Sequence, residues 1–133
     1  MVENVVAKEY LSESMIEAGA QILTKLDAEG VPISSAFWFY EFETNDWRLY
    51  LAIPNTHQTS VRPWYMRINA ATKELGERIS AVPWDAPKVI DADDPLIGLL
   101  RRVVTPQAGM KPVRLTRIAV GGRLIDDVLI YRI

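Results

Sequence analysis

Phe37-Trp38-Phe39-Tyr40-Glu41-Phe42, then Glu43-Thr44-Asn45-Asp46, then Trp47-Arg48-Leu49-Tyr50: this stretch holds seven of the twelve aromatic residues within fourteen positions. Two segments rich in side chains that suit a pleated surface flank a polar group that suits a tight turn, which predicts a β-hairpin. Centring the turn on Thr44-Asn45 pairs Phe42 with Trp47, Tyr40 with Leu49 and Trp38 with Leu51 on one face. The other face then pairs Glu41 with Arg48, Phe39 with Tyr50 and Phe37 with Ala52. An ion pair thus sits beside an aromatic pair, each such pair contributing roughly 0.2–1 kcal/mol. A one-residue slip would set Glu41 against Leu49 and mix the faces. Both faces are apolar enough to place the hairpin inside a larger sheet covered on both sides.

Before the hairpin, Leu11, Met15, Ala18, Ile22 and Leu26 recur at three- and four-residue steps and predict a helix. Ser14-x-x-Glu17 offers a capping box for it, a start nearer Glu3 being the alternative, and Gly30 followed by Pro32 ends it. After the hairpin, expected over 34–53 and stopped by Pro54, a second helix is expected over 61–79. Ser60 would cap it and Pro63 lies in its first turn. Val61, Tyr65, Ile68, Thr72, Leu75 and Ile79 would face inward, and Arg62, Arg67, Lys73, Glu74 and Glu77 outward.

A connection broken by Pro83 and Pro87 leads to a short strand at 88–91. Asp94 and Pro95 then supply the cap and first residue of a third helix carrying Leu96, Ile97, Leu99, Leu100 and Val103 and stopping before Pro106. A loop at 107–112 precedes two final strands, 113–120 and 128–133, joined through Gly121-Gly122 with a bulge at Asp126-Asp127. The order α-β-β-α-β-α-β-β predicts an α+β fold: a mixed sheet of about five strands, two hairpins and one α-linked strand, packed with about three helices.

Size and composition agree with one domain over residues 1–133. A chain of 133 residues can bury about two-thirds of its unfolded surface. With 49% hydrophobic and 24% charged residues it is globular rather than disordered. The absence of cysteine excludes disulfides and thiolate metal sites. No apolar run approaches the ~20 residues a bilayer demands, and the acidic N-terminus shows no secretory signal, so the expected setting is the cytoplasm.

Charge is unevenly spread. Residues 1–60 carry three basic and nine acidic side chains, residues 61–133 twelve and eight, for the overall −2. Arg62, Arg67, Arg101, Arg102, Lys111, Arg114, Arg117 and Arg123 would form a basic surface if the fold gathers them. Acidic residues interleave with them, as on an ordinary solvated surface.

Few residues suggest chemistry. Asp91, Asp93 and Asp94 cluster at a strand exit, where hard cations are often held, although capping accounts for Asp94 by itself. His57 is the single histidine, which excludes paired-imidazole zinc motifs, and no Gly-x-Ser-x-Gly elbow supplies a nucleophile for it. The stretch from Asn55 to Arg67 passes from polar to basic and aromatic as a strand gives way to a helix N-terminus, a setting that favours anions. His57, Arg62, Trp64 and Arg67 are therefore the candidate ligand residues. Glu41 and Glu43 lack the lysine of a restriction-type nuclease on the neighbouring strand, where Arg48 stands instead. Gly121-Gly122 lacks the helix and lysine of a phosphate loop.

The stretches 37–49 and 125–132, about a sixth of the chain, resemble a group of short, uncharacterised bacterial proteins. The resemblance lies in strand patterns and implies no activity, so no catalytic residue follows from it. No metal or cofactor is expected. The leading expectation is a non-enzymatic protein that binds a protein partner or self-associates as a homodimer, using surplus aromatic surface at Trp38 and Tyr40. Nucleic-acid or phosphate-ligand binding through the basic half is the first alternative. A small hydrolase using His57 or the three aspartates is the second.

Overall fold

The computed structural model describes residues 9–104 and 111–133. A helix start near Glu3 and most of the expected 107–112 loop fall outside them. Helix α1 spans Glu13–Ala28 and is capped by Ser12, whose hydroxyl accepts from the Met15 N–H at 3.1 Å; Ser14 lies inside the first turn and caps nothing. Its end follows expectation: Gly30 takes a positive φ of 79°, and the Val31 N–H returns to the Leu26 carbonyl at 3.0 Å.

The hairpin is present as β1, Ser35–Glu41, and β2, Asp46–Ile53, but its register differs by two residues from the expected one. Tyr40 lies opposite Trp47, Trp38 opposite Leu49 and Phe37 opposite Tyr50. The turn is the four residues 42–45, with Asn45 left-handed at φ 52° and its side-chain oxygen accepting from the Tyr40 hydroxyl. A slip by two preserves which side chains share a face, so the hydrophobic pattern cannot oppose it. Phe42 consequently leaves the strand for the turn, and Glu41 loses Arg48 and faces Asp46.

Helix α2, Arg62–Leu75, continues as a 3₁₀ turn over Gly76–Ile79, and its N-cap is Val61, with the Ser60 hydroxyl accepting from the Arg62 N–H at 3.1 Å. Ile68, Ala71, Leu75 and Ile79 are buried, whereas Val61 is exposed. Strand β3, Pro87–Asp91, runs parallel to β2, as a helical crossover requires, and the Tyr65 hydroxyl of α2 accepts from the Val89 N–H at 2.8 Å. Helix α3, Pro95–Arg101, starts where expected, with the Asp94 carboxylate accepting from the Leu96 N–H at 2.9 Å.

Strands β4, Val113–Val120, and β5, Arg123–Arg132, form the second hairpin. β5 begins five residues earlier than expected because Gly121 and Gly122, at φ 59° and 76°, make a two-residue turn directly against Val120 and Arg123. At Asp126 the ladder breaks without losing register: Thr116 opposes Asp127 and Ile118 opposes Ile125, while Arg117, at φ 51°, makes no pair. The irregularity is therefore shared by both strands instead of being a bulge in β5. A true register shift lies farther along, against Ala36/Phe37, where Tyr131 is the extra residue.

The five strands take the order β3-β2-β1-β5-β4, with all pairs antiparallel except β2–β3. Trp38, Tyr40, Trp47, Leu49, Leu51 and Ile53 pack against α1 and α2 on one face. Phe37, Phe39, Tyr50 and Ala52 pack with α3, Ile125, Val128 and Ile130 on the other. The fold is thus α+β with a mixed, five-stranded sheet covered on both sides.

Candidate functional site

Both hairpin tips lie at one end of the sheet and enclose a hollow of about 530 Å³. Its floor is built from β1 and β2 through Phe39, Glu41 and Tyr50, from β3 through Lys88, and from β5 through Arg123 and Asp126. The two-residue slip brings Phe37 opposite Tyr50, so their rings stack at 5.2 Å, and the Phe39 ring lies tilted 5.3 Å from that of Tyr50. Tyr50 donates to Glu41 Oε2 at 2.5 Å, and Lys88 Nζ stands 3.4 Å from both oxygens.

Burial pushes the Tyr50 phenol well above its ordinary pKa, and the Glu41 carboxylate raises it further. For Glu41 burial alone would raise the pKa, but the Tyr50 hydrogen bond and the Lys88 ammonium outweigh it and hold the carboxyl ionised. Lys88 rests 5.0 Å from the Tyr50 ring centroid and Arg123 5.8 Å from that of Phe39. Arg123 makes no ion pair with a described residue. On the rim stand Phe42 and Leu124, 76% and 70% exposed. A mixed-charge floor with an apolar rim can bind a segment carrying both kinds of group.

The register of β2 with β3 places His57, Asp91 and Asp93 at the opposite end. Asp91, the last residue of β3, is 8% exposed. Its Oδ2 accepts from the Thr56 N–H and hydroxyl, each at 2.7 Å, and from the His57 N–H at 3.3 Å; its Oδ1 accepts from the Asp93 N–H at 3.0 Å. These bonds, led by the Asp93 N–H, hold the Asp91 carboxyl well below the usual carboxylate range. His57 Nε2 lies 3.1 Å from Asp93 Oδ1 and 3.7 Å from Asp91 Oδ2. The nearby hydroxyls are occupied elsewhere: Thr56 with Asp91, Thr59 with the Asn55 carbonyl, Ser60 with the Arg62 N–H. None bonds to the imidazole, so among the described residues no hydroxyl is paired with His57.

The other sequence-derived candidates do not assemble. Trp38 and Tyr40 are 0% and 6% exposed, which corrects their assignment to a partner surface: the sheet is covered where they point. Trp38 instead donates to the Tyr131 hydroxyl at 2.9 Å, which itself donates to the Ile16 carbonyl. Arg67 leaves the His57 loop, bonding the Glu29 carbonyl at 2.5 Å and lying 5.7 Å from the Trp64 ring, while Arg62 is exposed at the start of α2. His57, Arg62, Trp64 and Arg67 therefore make no shared anion site.

The basic residues are likewise divided. Arg62 and Arg67 belong to the helix on one face, Arg101 ends α3 on the other and Arg102 follows it, and Arg114 is bound bidentately by Asp127 at 2.9 Å. No single basic surface gathers them.

Sequence reasoning missed Lys88 beside Glu41 and the pairing of Phe42 with Leu124 at one rim. The first needed the β2–β3 pairing; the second had a faint signal in the glycine turn, which projects Leu124 beyond β1. No protein-family model, curated protein or solved structure matches the chain.

Proposed function

We propose that this chain is a non-enzymatic interaction domain that docks a polypeptide segment of a protein partner in the hollow between its hairpin tips. The observation that carries this reading is the pair of exposed apolar side chains, Phe42 and Leu124, on the rim of a hollow whose Lys88 and Arg123 cations are held over aromatic rings. Apolar groups beside poised charge are the composition of a protein-binding patch. A second copy of the chain is one form such a partner takes. No helix among the described residues is long and apolar enough to cross a membrane, and a cytoplasmic setting fits a chain without cysteine.

The test is photo-crosslinking in cells from benzoylphenylalanine placed at position 42, with Met66 and Trp84 as comparison positions. Expected is a discrete adduct from position 42 that disappears in Leu124→Ser and in Lys88→Glu, both folded by circular dichroism. Adducts from Trp84 alone would move docking to the trough beside that residue. No adduct from position 42, or one indifferent to both substitutions, would refute the reading.

A further inference from the structure

We propose that His57, Asp91 and Asp93 form a binding site for a divalent transition-metal ion of the zinc class. Two loops meet there, one following β2 and one following β3, and their three ligand atoms all lie within 4.8 Å of one another. Ligands bound to one tetrahedral zinc at about 2.1 Å stand about 3.4 Å apart. The His57 Nε2 separations of 3.1 Å and 3.7 Å from the two carboxylates bracket that edge. The 3.7 Å separation is to Asp91 Oδ2, which accepts three hydrogen bonds, whereas Oδ1 of the same carboxylate accepts one, from the Asp93 N–H, and is the oxygen with a lone pair left for an ion.

A second observation is independent of that spacing. Buried charges are ordinarily paired or coordinate a metal. The chain has two buried aspartates, 91 and 127, among the described residues. Asp127 is met by the Arg114 guanidinium through two 2.9 Å bonds. Among the described residues Asp91 has no lysine or arginine within ion-pairing distance, and Asp93, its neighbour in the cluster, has none either; the side chain that faces both carboxylates is the His57 imidazole. The site thus concentrates negative charge that a cation would neutralise.

An imidazole beside two carboxylates suits zinc or cobalt better than calcium or magnesium, which prefer oxygen alone. Three protein ligands leave a coordination position for water. His57 and Asp93 have side chains 72% and 74% exposed, so an ion has free access.

Titration calorimetry of the untagged full chain with Zn2+, and the visible absorption of the Co2+ form, test the site. Expected is one ion per chain, with affinity reduced at least tenfold in both His57→Gln and Asp93→Asn. Both residues are exposed, so these variants keep the fold, which circular dichroism checks. Absence of saturable binding at millimolar Zn2+ would overturn the proposal. So would binding that is lost in His57→Gln but untouched in Asp93→Asn, since that marks a lone surface imidazole.

Discussion

Gly19→Ala should destabilise this protein, against the general rule for a helix interior. Alanine is better than glycine there by about 1 kcal/mol. Gly19, however, lies directly against Trp38 and Tyr131 of the sheet. A Cβ built on it would stand 2.7 Å from the Trp38 ring nitrogen, and closer still to the Tyr131 hydroxyl. Neither group can easily retreat: Trp38 is 0% exposed, and Tyr131 is tied to Trp38 and to the Ile16 carbonyl.

Forcing extra volume into such a contact costs about 1–3 kcal/mol, and disturbing the two hydrogen bonds costs about 1 kcal/mol each. Set against the helix gain, the net loss is about 2–4 kcal/mol. Gly98 of α3 provides the control, since an added Cβ there meets nothing within 4 Å. Gly98→Ala should stabilise by about 0.5–1 kcal/mol. Urea unfolding followed by tryptophan fluorescence and far-ultraviolet circular dichroism measures both. Gly19→Ala with an unchanged or raised midpoint would refute the close approach of α1 to the Trp38–Tyr131 pair.

Removing the guanidinium in Arg114→Met takes two hydrogen bonds and a bidentate cation from the buried Asp127 carboxylate, and breaking a fully enclosed pair costs about 3–5 kcal/mol. Because the Arg114 side chain is 38% exposed, solvent screening lowers the expected loss to about 1–2 kcal/mol, read as a shift in urea midpoint; no shift would mean the pair is immaterial. The Asp91 carboxyl has a folded pKa below its unfolded value, so its stabilisation is complete above the ordinary carboxylate range and is lost as pH falls through the folded pKa. In the presence of chelator, the stability gap between the wild type and Asp91→Asn should be constant above about pH 5 and narrow in acid below about pH 4. A gap independent of pH would show that Asp91 acts without its charge.

Several local decisions are written in adjacent residues. Asp94-Pro95 starts α3 because a carboxylate cap and a residue without an N–H both suit the first turn. Gly121-Gly122 turns the second hairpin because both positions require positive φ. The alternation from Phe37 to Tyr50 assigned each aromatic except Phe42 to its correct face and implied a sheet covered on both sides. That same coverage is why Trp38 and Tyr40 belong to the core, a consequence the burial of both layers makes plain.

Other features depend on partners distant in the chain. A period of two cannot distinguish registers two residues apart, so the β1–β2 pairing was decided by the left-handed turn at Asn45 and by the strands on either side. That pairing, with β3 beside β2, turned Glu41 from Arg48 to Tyr50 and Lys88 and built the hollow. The parallel crossover likewise brought His57 to Asp91 and Asp93 across more than thirty positions. By itself the sequence determined the elements, the cap of α3 and the faces of the central strands, because those follow from backbone preference and apolar period within a few residues. Only the tertiary structure decided register and which charged groups meet, because both depend on which strands lie side by side.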